Sequence, residues 1–174
     1  TRKKVSELPG SVKEEIRKNR EFLEKRVEGD DPIYGINTGF GSLCNTQVGK
    51  DDLEELQHNL ILSHSTGMGD RIPAEISRLI FLLKIRNLVL GRSGVRLSTI
   101  EKFIEIYNAG IIPVIYEMGS LGASGDLAPL AHLAILLIGK GKVHYKDEIT
   151  DTSKALNDAG ISPIKLSSKE GLAL

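Results

Sequence analysis

Two segments of this 174-residue chain are apolar around almost the whole circumference of a helix, and they constrain the fold most strongly. One covers residues 76–90; the other covers residues 127–138, where His132 is the only side chain that can ionise. The second is shorter than the ~18–20 residues of a bilayer span, so it is expected to be a core helix. We predict a mainly α-helical fold whose core needs more protein than this chain easily supplies, either further sequence or other subunits.

Helix-start patterns support this prediction. A capping residue stands three places before a glutamate at Ser11, Asp51 and Ser98, the arrangement that satisfies the free N–H groups of a first helical turn. Asp126 is the expected cap of the last core helix. The predicted helices cover residues 12–28, 51–65, 73–91, 98–109 and 126–139.

Little β structure is expected. The best candidate strands are residues 143–145 and residues 111–116, the second interrupted by Pro113. From about residue 146 to 168 the chain turns polar, and we interpret it as a surface excursion after the core helix.

Composition excludes several classes of function. The 23 lysines and arginines balance 23 acidic residues, so there is no basic excess for nucleic acid or an anionic membrane. A single cysteine, Cys44, cannot form an internal disulfide, which favours a cytoplasmic location. The chain opens on Thr1 and closes on an apolar run at residues 171–174. We therefore expect residues 1–174 to be one part of a longer polypeptide.

Three stretches combine glycines with reactive side chains: YGINTGFG (residues 34–41), SHSTG (63–67) and GSLGASGD (119–126). The third is not a nucleophile elbow, because Asp126 stands where that motif needs glycine. It is not a phosphate-binding Walker loop, because no lysine follows. Its helical surroundings also argue against a dinucleotide-binding loop. Two interpretations remain: a structural turn before a helix, or a loop whose own backbone reacts.

A backbone reaction is chemically reasonable at Ala123-Ser124-Gly125. In a tightly bent loop, the Gly125 nitrogen can attack the Ala123 carbonyl carbon and close a five-membered ring, since glycine leaves that nitrogen unhindered. Loss of one water from the ring and of the Ser124 hydroxyl as a second water leaves an electrophilic methylidene carbon. Composition alone favours a plain glycine-rich turn.

Together with its neighbours, this loop resembles the histidine and aromatic amino-acid ammonia-lyase family. The resemblance covers nearly the whole chain and includes five motifs in order, namely residues 34–41, 59–67, 91–96, 113–117 and 119–132. It implies a helical-bundle fold with glycine-rich active-site loops, and elimination of ammonia from a small amino acid. It also implies a homotetramer with sites built from several subunits. The sequence itself indicates no metal site, since His58 and His144 show no metal-ligand partners and there is one cysteine.

The resemblance also assigns roles to residues. Ala123, Ser124 and Gly125 would form a methylidene-imidazolone group, so that no dissociable cofactor is needed. Tyr34 would be the catalytic base, and His64 would contact the substrate side chain. Gly35, Gly39 and Gly41 would belong to a mobile lid over the site.

Simpler alternatives exist for these and other residues. Tyr34 would serve equally as a half-buried anchor of its loop, and His64 as a histidine satisfied at a helix end. His132 is expected to be structural, and Arg92 and Arg96 to pair with carboxylates in the bundle.

The Ser63-His64 pair favours deamination of L-histidine to urocanate over the phenylalanine branch. An aromatic ammonia-lyase or aminomutase is the second possibility. A third is an inactive structural piece, because the family's site needs residues beyond this chain.

Overall fold

The computed structural model describes residues 3–27, 32–39, 48–49, 52–119 and 127–174. The predictions made for Gly41, Asp51, Asp126 and the Ala123-Ser124-Gly125 triplet lie outside the described residues. Helices dominate what is described, as predicted. They are α1 (Gly10–Val27), α2 (Leu53–His64), α3 (Ala74–Leu88), α4 (Leu97–Asn108), α5 (Leu127–Ala134), α6 (Thr152–Asp158) and α7 (Glu170–Ala173).

The strands are short and form two small antiparallel sheets. In one, β1 (Met68–Arg71) pairs with β3 (Tyr116–Met118); in the other, β4 (Lys142–Tyr145) lies between β2 (Ile112–Pro113) and β5 (Glu148–Asp151). The predicted strand at residues 143–145 corresponds to β4, and the predicted stretch of residues 111–116 contains β2 but shares only Tyr116 with β3. The sequence analysis missed β1 and β5, whose residues are almost all exposed and so lack an alternating apolar pattern.

Two of the predicted caps, Ser11 and Ser98, lie inside their helices. Helix α1 begins at Gly10, and α4 begins at Leu97. The residue before α2 is Asp52, and its side chain makes no capping hydrogen bond. The four-residue patterns therefore located these helices to within about two residues of their first residue.

The polar stretch of residues 146–168 is more ordered than predicted. It contains β5 and α6, and Ala155 and Leu156 of α6 are buried in the core. Lys146 and Asp147 form the β4–β5 turn with φ of 50° and 63°, the positive values that a two-residue hairpin turn requires.

The core lies between α3, α4 and the segment that follows α5. Phe81 makes edge-to-face contacts with Phe103 and Tyr107, at centroid distances of 5.2 and 5.4 Å. Helix α5 continues as a 3₁₀-helix (Ile135–Ile138) in which Leu136 and Leu137 are fully buried, so the predicted core helix is two helical segments.

Helix α3 is buried on one side only. Phe81, Ile85 and Leu88 face the core, whereas Leu79 and Leu83 are 50% and 53% exposed. The helix is apolar around most of its circumference, as the sequence indicates, but the described residues of this chain cover only one side of it.

An extensive buried polar contact joins α7 to the start of α4. The carboxylate of Glu170, which is fully buried, accepts hydrogen bonds from the Arg96 backbone and guanidinium, from the Thr99 hydroxyl and from the Ser167 amide. The shortest, from Arg96 Nη2, measures 2.6 Å. The pairing of Arg96 with a carboxylate is confirmed.

Removal of this carboxylate should destabilise the protein strongly. We expect Glu170→Ala to lower the free energy of unfolding by about 3–5 kcal/mol, because the Arg96 charge and the Thr99 hydroxyl lose their buried partner. Urea denaturation measures the change. The matched control is Glu105→Ala, which removes an exposed ion pair with Lys102 and should cost less than about 1 kcal/mol. Equal costs for the two variants would contradict the assigned importance of Glu170.

Candidate active site

A cavity of about 520 Å³ brings together two residues that the sequence analysis singled out, Tyr34 and His64. Its walls come from the turn that carries Tyr34 and from helices α2, α3, α5 and α7. The lining residues are mainly apolar with a few polar groups: Tyr34, Leu60, Ile61, His64, Lys84, Leu127, Leu130, Ala131, Ala134, Gly171, Leu172 and Leu174. This combination is typical of sites for small molecules.

Tyr34 stands on a tight turn whose other residues are buried. Tyr34 is 55% exposed, whereas Ile36, Asn37 and Thr38 are 8% exposed or less. Gly35 has a φ of +69°, a conformation that glycine adopts without strain. The buried residues after Tyr34 hold the turn in place, and both interpretations of Tyr34, the half-buried anchor and the catalytic base, remain predictions.

Hydrogen bonds within the turn fix its backbone. The Ile36 and Asn37 amides donate to the Ile33 carbonyl, and Asn37 Oδ1 accepts from the Ile33 amide at 2.7 Å. Thr38 Oγ1 donates to the Gly39 carbonyl at 3.0 Å. The predicted roles of Gly35 and Gly39 in a lid remain predictions.

His64 ends α2 with a defined ring orientation. Its Nδ1 lies 2.9 Å from the Leu60 carbonyl oxygen and 3.1 Å from Ser63 Oγ. Since a carbonyl only accepts, we assign the proton of the neutral ring to Nδ1, which leaves Nε2 as an acceptor. The ring is therefore both satisfied at a helix end and part of the cavity wall.

Lys84 is a cavity residue that the sequence analysis missed. Its Nζ donates to the Ala173 carbonyl at 2.8 Å. Burial lowers the pKa of Lys84 to about 8, with a smaller contribution from the positive charge of Lys169. The available sequence signal was a single lysine inside the apolar run of α3, flanked by Leu83 and Ile85.

Two described residues border the glycine-rich stretch of residues 119–126. Leu127, which follows the stretch, lines the cavity. Gly119, its first residue, lies so close to Gly67 and Ala128 that an added Cβ would stand 2.8 Å from the Ala128 Cβ. The stretch therefore begins against α5 and is followed by a residue of the cavity wall.

His132 is structural, as predicted. Its Nε2 accepts a hydrogen bond from the Gly67 amide at 2.9 Å, and its ring lies 5.1 Å from that of Tyr116. Burial lowers the pKa of His132, which favours the neutral ring that can accept this bond. The contact holds the end of the SHSTG segment against α5.

No cluster of three or more histidine, cysteine, aspartate or glutamate side chains among the described residues is arranged to hold a metal ion. None of the helices within the described ranges is both long enough and apolar enough to cross a membrane.

Comparison with known proteins gives consistent matches. The family model described as aromatic amino acid lyase matches residues 1–174. A histidine ammonia-lyase of Deinococcus radiodurans is 49% identical over 168 residues, which are 97% of this chain and 32% of the relative. The chain thus spans about a third of the length of the curated relatives it matches.

Solved structures agree. The phenylalanine aminomutase of Pantoea agglomerans superposes with a TM-score of 0.92 at 40% identity, covering 99% of this chain and 33% of that one. A histidine ammonia-lyase of Trypanosoma cruzi gives a TM-score of 0.86 at 38% identity, covering 97% of this chain and 32% of that one. By sequence and by fold, the chain belongs to the aromatic amino acid lyase family.

Proposed function

We propose that this chain carries part of the active site of a histidine ammonia-lyase, which converts L-histidine to urocanate and ammonia. The observation that carries the proposal is the shared cavity of Tyr34 and His64, beside Leu127 at the end of the GSLGASGD loop. The curated relatives named histidine ammonia-lyase, at up to 49% identity, support the substrate. His64 Nε2 offers an acceptor for the N–H of an imidazole ring.

The second candidate is an aromatic ammonia-lyase or aminomutase. The similarity to the phenylalanine aminomutase of Pantoea agglomerans favours it. An apolar cavity wall of leucine and alanine side chains suits an aromatic ring of either kind, so the polar partner His64 is the feature that favours histidine.

We further propose that Ala123, Ser124 and Gly125 form a methylidene-imidazolone, which replaces any dissociable cofactor. The position of Leu127 in the cavity wall supports this, since Leu127 follows Gly125 by two residues. Once formed, such a ring supplies an electrophilic carbon that binds the substrate and withdraws its electrons.

The chain's own residues then perform the proton chemistry. Tyr34 removes the β-proton as the C–N bond to ammonia breaks, because an unactivated carbon acid needs a base at hydrogen-bond distance. His64 orients the imidazole ring. Lys84 places a positive charge in the cavity, where it stabilises negative charge that develops during proton removal.

Other parts of the enzyme belong to the same proposal. Residues 1–174 form one structural portion of the enzyme. A portion equivalent to the part of the relatives that this chain does not cover supplies the rest of the site, together with further copies in a homotetramer. We also propose a cytoplasmic location, from the single cysteine.

Ring formation can be measured by intact mass. We expect the protein to be lighter than its sequence by two water molecules and to show near-ultraviolet absorbance, both lost in Ser124→Ala. Ser120→Ala, which changes a serine of the same loop outside the triplet, should retain both. If the wild-type protein instead has the full mass of its sequence, the inactive structural chain is supported.

Substrate assays test the function on the complete gene product. We expect urocanate from L-histidine, and a kcat lower by about 10²–10⁴-fold in Tyr34→Phe because the base is lost while the fold is kept. Tyr145→Phe, on the distant β4–β5 hairpin, should retain full activity. If L-histidine does not react and tyrosine or phenylalanine gives coumarate, cinnamate or a β-amino acid, the second candidate replaces the proposal.

The pH profile tests the role of Lys84. As pH rises through about 8, its ammonium group loses a proton and the cavity loses a positive charge. We therefore expect kcat/KM to fall on the alkaline side near pH 8, and Lys84→Arg to move that fall to higher pH, because guanidinium stays charged. Lys154→Arg, on α6, should leave the profile unchanged. An alkaline fall unaltered by Lys84→Arg would exclude this role.

A further inference from the structure

Tyr34 stands on the turn of residues 33–38 and borders the cavity. The backbone of this turn sets where the Tyr34 side chain begins and in which direction it leaves the chain. A group that fixes this backbone from outside the turn therefore contributes to the geometry of the proposed base.

Ser168 is such a group. Its hydroxyl donates a buried hydrogen bond of 2.9 Å to the Ile36 carbonyl, across 132 residues of sequence. Ile36 is two residues from Tyr34, and its amide closes the turn by donating to the Ile33 carbonyl. The bond from Ser168 thus ties the turn that carries Tyr34 to the segment just before α7.

Ser168 is itself held by a buried cation. Arg20 of α1 is 7% exposed, and its Nη1 donates to the carbonyls of Ser168 and Gly94, both at 3.0 Å. Its Nη2 donates to Ser167 Oγ at 2.9 Å, and its Nε to Glu24 at 2.7 Å. Arg20 therefore fixes the backbone of Ser168, and the hydroxyl of Ser168 fixes the turn.

We propose that Ser168, held by Arg20, is a positioning residue for Tyr34. This inference rests on the proposed function for its effect on catalysis, but the anchoring of the turn is independent of it. A displacement of about 1 Å at a reacting group can cost about 10²-fold in rate. Loss of the Ser168 hydroxyl should therefore lower kcat and leave KM nearly unchanged, since His64 and the apolar wall stay in place.

Adjacent serines provide a matched pair of variants. Ser168→Ala removes the hydroxyl that donates to the Ile36 carbonyl. Ser167→Ala removes a hydroxyl that, within the described part of the chain, is hydrogen-bonded to Arg20 alone. In the complete gene product, we expect Ser168→Ala to lower kcat by about 10–100-fold with KM within about twofold, and Ser167→Ala to keep kcat within about twofold.

A double-mutant cycle separates positioning from general damage. If Ser168 acts through Tyr34, Ser168→Ala should not lower further the residual kcat of Tyr34→Phe. A tenfold further loss in the Tyr34→Phe background would overturn the proposal, because Ser168 would then act through another group.

Hydrogen exchange provides a readout that does not depend on activity. We expect faster amide exchange in the peptide covering residues 33–38 in Ser168→Ala, and wild-type exchange in Ser167→Ala. Unchanged exchange in Ser168→Ala overturns the anchor whatever the rates show. A wild-type protein that deaminates no amino acid contradicts the proposed function instead, and the exchange comparison then decides the anchor alone.

Discussion

The buried carboxylate of Glu170 is the contact on which the walls of the site depend. It fixes the start of α7 against Arg96 and Thr99 of the α4 region. From that fixed point, Gln57 Oε1 of α2 accepts the Gly171 amide at 2.8 Å. The closeness is possible only for glycine, because an added Cβ would stand 2.7 Å from the Gln57 carbonyl oxygen. Residues 167–171 thus contact α2, the start of α4 and the turn of Tyr34.

The sequence predicted the helices because their apolar residues repeat at helical spacing, and packing preserved that pattern. Phe81, Ile85 and Leu88, all inside the predicted 73–91 helix, are core residues. Helix starts were less predictable. The Ser98-to-Glu101 spacing looks like a cap in isolation, yet α4 begins at Leu97, and the preceding residue, Arg96, is held by Glu170 from 74 residues away. Helix α6 was missed because only its buried side, Ala155 and Leu156, is apolar.

The site was predictable only in part for a similar reason. Tyr34 and His64 were found through motifs that resemble a family, and the structure places both at one cavity, although their chemical roles remain predictions. Lys84 and Ser168 belong to no motif. Their importance arises from contacts across 89 and 132 residues, with Ala173 and Ile36, and no local spacing encodes a contact of that range.

Exposure of the proposed base determines what else the chemistry needs. A carbon-bound proton is removed efficiently only where water is kept away from the developing charge, since low dielectric strengthens each fixed dipole and cation. In this chain Tyr34 is 55% exposed and Leu127 and Leu172 at the cavity are 48% and 42% exposed. Among the described residues, the turn of Tyr34, the His64 ring and Lys84 form one wall of the cavity and leave Tyr34, Leu127 and Leu172 open to solvent. The proposed proton transfer therefore requires further apolar surface over this wall, because water at the base would screen the charge that Lys84 provides.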